Sequence, residues 1–102
     1  MAKKKIKTIV WSKNAEKQFY EILEYLSKEA PEAIDMVGNT ILNKVESLET
    51  SFNQHPKDRF KKKNDNTYRA AVILSYRISY KVDVASVNIL RIRHTSREPL
   101  QF

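Results

Sequence analysis

Arg77, His94 and Arg97 are the residues of this chain whose types and spacing suit chemistry on an anion. The stretch Tyr76-Arg77-Ile78-Ser79-Tyr80-Lys81-Val82 alternates apolar and polar side chains, the period of a strand. The stretch Val87-Asn88-Ile89-Leu90-Arg91-Ile92-Arg93-His94 ends in cations and runs into Thr95-Ser96-Arg97. Neighbouring strands would set Arg77, His94 and Arg97 on or beside one face of a sheet. A sheet face lined with cations attracts nucleic acid or acidic protein segments.

The composition agrees with such a partner. The chain has 19 Lys+Arg against 12 Asp+Glu, a net charge of +7, which favours phosphates or acidic proteins without choosing between them. Its 102 residues fit one domain, residues 1–102, with a modest core. With 41% hydrophobic residues the chain is expected to fold. There is no cysteine, so disulfides and thiolate metal sites are excluded and a reducing cytoplasm is the expected location. Only 1 Gly is present, Gly38, and the 2 His, His55 and His94, lie far apart. A glycine phosphate loop is therefore ruled out, and neither a metal centre nor a cofactor is expected. No apolar run approaches the roughly 20 residues of a membrane span. The start Met1-Ala2-Lys3-Lys4-Lys5-Ile6 lacks the apolar stretch of a signal peptide.

The elements that must position the cations are read from periodicity. Ile6 to Trp11 is rich in β-branched residues and suits a short strand. Ser12 is placed to cap a helix. Ala15, Phe19, Ile22, Leu23 and Leu26 form its apolar stripe. Pro31 suits the first turn of a second helix, whose stripe is Ile34, Val37, Ile41, Val45 and Leu48. The short connection between them predicts an antiparallel helical hairpin. Pro56 ends that pattern, and Asn53 to Asn66, with Lys61, Lys62 and Lys63, reads as a loop. Strand character resumes at Thr67. Turns are predicted near Leu74-Ser75 and from Asp83 to Ser86. The adjacent Ile89 and Leu90 leave the parity of the last strand open: both faces are partly buried, or a bulge intervenes.

The fold class is thus α+β, in the order β-α-α-β-β-β. An antiparallel sheet carries the helical hairpin on one face and leaves the other open at least in part. Phe19, Ile22, Leu26, Ile34, Val37 and Ile41 are expected to be buried against Val72, Ile78, Val82 and Ile89.

This order resembles the RelE/ParE superfamily of toxins from bacterial type II toxin–antitoxin modules of the plasmid stabilisation type. The resemblance covers nearly the whole chain. It rests on Trp11-Ser12 with Ala15, the Leu48 to Pro56 exit, Tyr68-Arg69, Tyr76-Arg77-Ile78-Ser79-Tyr80, and Ile92-Arg93-His94-Thr95-Ser96-Arg97-Glu98-Pro99. It implies a growth-inhibiting protein, neutralised by a cognate antitoxin in a toxin–antitoxin hetero-oligomer.

The resemblance leaves two activities open. A RelE-like member cleaves mRNA on the ribosome without a metal. Cleavage by the neighbouring 2′-hydroxyl needs a base, an acid and cations around the phosphorane. By resemblance Arg77 and Arg97 match phosphate-binding arginines of that branch and His94 a catalytic histidine, while Asp58 matches poorly the place of a glutamate base. Lys61, Lys62, Lys63, Arg69, Arg77, Arg93 and Arg97 are the implied binding residues for nucleic acid or an acidic partner. A ParE-like member instead inhibits DNA gyrase by binding it. RelE-like nucleases commonly carry a tyrosine in the tail, and here nothing after Tyr80 is a tyrosine. The balance therefore leans toward the gyrase-type or an uncharacterised branch, with a degenerate member that only binds a partner as a third reading.

Each residue also has a plainer role. Arg77 suits a solvated strand position paired with Asp83. Lys61 to Lys63 suit a solvated loop run. His94 suits a strand-end cap held by a backbone hydrogen bond. Tyr76, Tyr80 and Trp11 suit the core, and Lys3 to Lys5 a frayed terminus.

Overall fold

The computed structural model describes residues 6–97. The Lys3 to Lys5 run and the tail from Glu98 to Phe102 lie outside them. The elements are β1 (Thr8–Trp11), α1 (Lys13–Glu29), a 3-10 turn (Pro31–Ala33), α2 (Ile34–Ser51), β2 (Tyr68–Ile73), β3 (Tyr76–Val82), β4 (Ser86–His94) and a second 3-10 turn (Thr95–Arg97). Ser12 caps α1 as expected, its Oγ accepting from the Ala15 amide at 3.0 Å. Pro31 opens the 3-10 turn that leads into α2.

The sheet order is β1-β4-β3-β2. β2, β3 and β4 form the expected antiparallel meander. β1 joins it parallel to β4, so the sheet is mixed. Between β1 and β2 the chain passes through the helical hairpin and the loop, and returns at the opposite sheet edge.

Ala15, Phe19 and Leu26 of α1 and Val37, Ile41, Val45 and Leu48 of α2 are buried against Ala71, Ile78, Tyr80, Val87, Ile89 and Ile92 of the sheet. Ile22, Ile34 and Val82 pack at the margin of this core. Tyr80 is fully enclosed, and its hydroxyl donates to the Phe52 carbonyl at 2.9 Å, tying the end of α2 to the sheet. Burial pushes its phenol up to about 12.

Val72 departs from expectation: it is 51% exposed, on the open face. The two-residue turn Leu74-Ser75 pairs Ile73 with Tyr76 and Ala71 with Ile78. Ala71 and Ile73 thereby share the helix face with the core residues of β3, and Val72 faces the other way. Leu74 enters that turn with a φ of 56°.

β4 carries the bulge that its sequence left open. Ser79 pairs with Arg91 and Tyr80 with Ile89, so Leu90 has no partner in the ladder. The start of α1 meets the bulge. The Ser12 amide donates to the Ile89 carbonyl at 3.0 Å and Ser12 Oγ to the Leu90 carbonyl at 3.1 Å.

Candidate functional site

The bulge decides what the open face displays. Val87 and Ile89 point into the core, and uninterrupted alternation would send Arg91 and Arg93 there as well. One extra residue reverses the phase. Ile92 becomes core, and Arg91 and Arg93 turn to the open face. Arg93 is the direct cross-strand partner of Arg77, and Arg91 stands opposite Ser79. Three arginines therefore share one face of the β3–β4 ladder. At its middle the face is closed over: Ser79 and Arg91 are buried, Arg91 at 8% exposure. Among the described residues, Ser79 Oγ and Arg93 Nε are buried without a hydrogen-bond partner, a cost of about 1–3 kcal/mol for each such group.

The loop between α2 and β2 supplies the rest of the site. Pro56 to Asp58 run briefly alongside β2, with the Ala70 amide donating to the Pro56 carbonyl at 3.1 Å and the Asp58 amide to the Tyr68 carbonyl at 2.9 Å. Asp58 turns inward to 2% exposure, and its Oδ1 accepts from the Phe60 amide at 3.0 Å. Asn64 closes the loop, its Nδ2 donating to the Tyr68 carbonyl at 2.9 Å and the Asp58 carbonyl at 3.3 Å. Its Oδ1 accepts from the Asn66 amide at 2.9 Å and the Tyr68 amide at 3.3 Å.

This folding seats Phe60 between two cations. The guanidinium carbons of Arg59 and Arg77 stand 4.8 and 4.9 Å from its ring centre, within cation–π range. Beside them lies an open cleft of ≈ 340 Å³. Its cationic lining is Lys57, Arg59 and Arg77, its apolar lining Pro56, Ala70 and Val72, and His55 completes it. Burial, with Lys44 and Arg69 nearby, holds the His55 imidazole below its ordinary value.

The residues singled out from the sequence divide between the two faces. Arg77 and Arg93 come together. His94 does not join them: it pairs with Tyr76 on the helix face, the rings edge to face at 5.3 Å. The Ser96 amide donates to His94 Nδ1 at 3.1 Å, and Ser96 Oγ lies 2.9 Å from the same nitrogen. That is a strand-end cap. Arg69 also lies on the helix face, opposite Tyr80, and donates to the His55 carbonyl at 2.6 Å. Lys61 reaches the open face, its Nζ 4.7 Å from the Tyr68 ring centre, while Lys62 and Lys63 are exposed. Arg97 ends the last 3-10 turn, and its side chain lies outside the described part. Asp83 pairs with Lys81 at 3.4 Å, not with Arg77.

Sequence reasoning missed His55, Lys57, Arg59 and Arg91. Only Arg91 left a signal, the doubled Ile89-Leu90 beside it. The other three sit in a loop that lacks a period.

The family model for the ParE toxin of type II toxin-antitoxin system, parDE, matches residues 9–99. Among solved structures, a chain of the chromosomal ParDE TA system from P. aeruginosa has a similar fold, with a TM-score of 0.68 at 18% identity over 87% of this chain and 96% of that one. No curated protein matches the sequence.

Proposed function

Because this chain belongs to the ParE toxin family of type II toxin–antitoxin systems, we propose that it arrests growth by binding DNA gyrase, and that a cognate antitoxin neutralises it by covering its cationic surface. One observation supports the gyrase-type branch over RNA cleavage: Arg77 and His94 lie on opposite faces of the sheet. A general acid must come within hydrogen-bond reach of the group it protonates. A phosphate held at Arg77 would have the sheet between it and His94. Arg77, Arg91 and Arg93 can hold an anion but cannot exchange protons with it near neutral pH. The reading needs binding surface alone.

No helix among the described residues is long and apolar enough to cross a membrane, and the proposed target places the protein in the cytoplasm. The test is induced expression, with gyrase supercoiling and ribosome-bound mRNA followed in parallel. Supercoiling should fail first, with no discrete mRNA cuts, and His94→Gln should leave growth arrest intact. Cuts in mRNA that vanish with Arg77→Ala and His94→Gln would instead make the chain a RelE-like ribosome-dependent endonuclease.

A further inference from the structure

The segment that joins α2 to β2 is pinned on both sides of one side chain, His55. Before it, the Phe52 carbonyl accepts from the enclosed Tyr80 hydroxyl at 2.9 Å. After it, the Pro56 carbonyl accepts from the Ala70 amide at 3.1 Å, and the Asp58 amide donates to the Tyr68 carbonyl at 2.9 Å. Between these anchors, Arg69 Nη1 donates to the carbonyl of His55 itself at 2.6 Å. The imidazole stands edge-on to the Tyr80 ring, with 6.4 Å between centroids. It also lines the cleft that holds Arg59 and Arg77.

The charges around this ring share one sign. Lys44 of α2 and Arg69 of β2 act on it electrostatically, and Lys57, Arg59 and Arg77 line the cleft with it. Tyr80 of β3 is titratable too, but burial pushes its phenol upward and keeps it neutral. Among the described residues no carboxylate lines the cleft, because Asp58 is turned inward. Burial, then Lys44 and Arg69, hold the imidazole below its ordinary value, which favours the neutral ring at neutral pH. A proton there adds a cation to a partly buried, wholly cationic setting with no anion to offset it. Arg69 then acts in two directions at once, holding the His55 carbonyl and repelling the His55 ring. Beyond His55 the segment is held on β2 through the bonds at Tyr68 and Ala70, whereas the helices and sheet are held by the enclosed core. The segment is therefore the part that yields.

We infer that His55 is a proton-operated latch. Neutral, it seats the segment from Phe52 to Asp58 against Tyr80 and β2. Protonated, it moves away from Lys44 and Arg69, the bonds of Pro56 and Asp58 to β2 open, and the cleft comes apart together with the stacking of Phe60 on Arg77. The sheet and the helical hairpin stay folded. The latch needs no assumption about the target of the toxin.

The test follows the full chain by NMR from neutral to mildly acidic pH. The imidazole signals give the titration of His55, with His94 as the internal control. Amide exchange, corrected for its intrinsic pH dependence, gives local opening. As His55 gains its proton, the amides of Asp58 and Ala70 should lose at least about threefold in protection, and the Phe60 ring signals should shift. The amides of Ile41 and Ile78 should keep theirs. His55→Gln stays neutral and should hold the Asp58 and Ala70 protection constant across the range. Lys44→Gln leaves His55 in place and removes one repelling cation. It should raise the pH at which His55 titrates and reduce the loss at Ala70, so the test stands even if His55→Gln folds poorly. Titration of His55 with no change at Ala70 would overturn the latch. So would an equal acid loss in His55→Gln, an unchanged His55 titration in Lys44→Gln, or a loss of protection shared equally by Ile41 and Ile78.

Discussion

Arg77 and Arg93 face each other directly across β3 and β4, two like charges in one cross-strand pair. Such a pair opposes folding by about 0.2–1 kcal/mol, and the buried Arg93 Nε without a partner acts in the same direction. A pair of this kind suits binding an anion better than stabilising a sheet. Arg93→Gln should therefore raise stability by about 0.2–1 kcal/mol while weakening any acidic partner. Urea unfolding at low and high salt is the check. The gain should shrink with salt, and a less stable variant would show that the pair is not repulsive.

Asn64 holds the loop that carries Phe60 to Arg77. Its side chain serves Tyr68, Asp58 and Asn66 together. Asn64→Ala should cost about 1–3 kcal/mol and speed amide exchange from Lys57 to Tyr68. Unchanged exchange there would mean that Asp58 alone organises the loop.

Leu74 occupies the left-handed region at a φ of 56°, where a side chain costs roughly 1–2 kcal/mol and glycine does not. Leu74→Gly should leave stability unchanged or raise it by up to about 1 kcal/mol, despite the entropy of the added glycine. Thermal unfolding measures it, and a clear loss would mean that the exposed Leu74 side chain makes contacts worth more than the strain.

Ile41 is fully enclosed between the helices and the sheet. Ile41→Ala should cost about 2–5 kcal/mol. A neutral result in chemical denaturation would misplace the core.

His55 should make stability sensitive to mild acid. Its folded-state value lies below the ordinary 6.5, so the unfolded chain binds the proton more readily. Stability should fall as the pH drops below about 6.5 and level off below the depressed folded value. His55→Gln should flatten that slope, as read from urea midpoints between neutral and mildly acidic pH. An unchanged slope would assign the effect to other groups.

The sequence by itself determined the elements and their order. Local physics suffices there: the stripes from Phe19 and Ile41 have helical period, Ser12 can cap only a helix on its C-terminal side, and Pro56 stops the helical pattern before it. It also determined the cation excess and the place of the two hairpin turns. Which face each cation takes was decided by tertiary structure. A strand has a period of two, so one residue more or less exchanges the faces. Ile89-Leu90 is compatible with either phase. The phase is fixed from the far end of the chain, where Ser12 at the β1–α1 junction donates to the Ile89 and Leu90 carbonyls. That contact, joining residues distant in sequence, sends Arg93 to Arg77 and His94 away from it. The cleft is tertiary for the same reason. Lys57 and Arg59 belong to a loop without a period, and only the bonds of that loop to β2 bring them beside Val72 and Arg77.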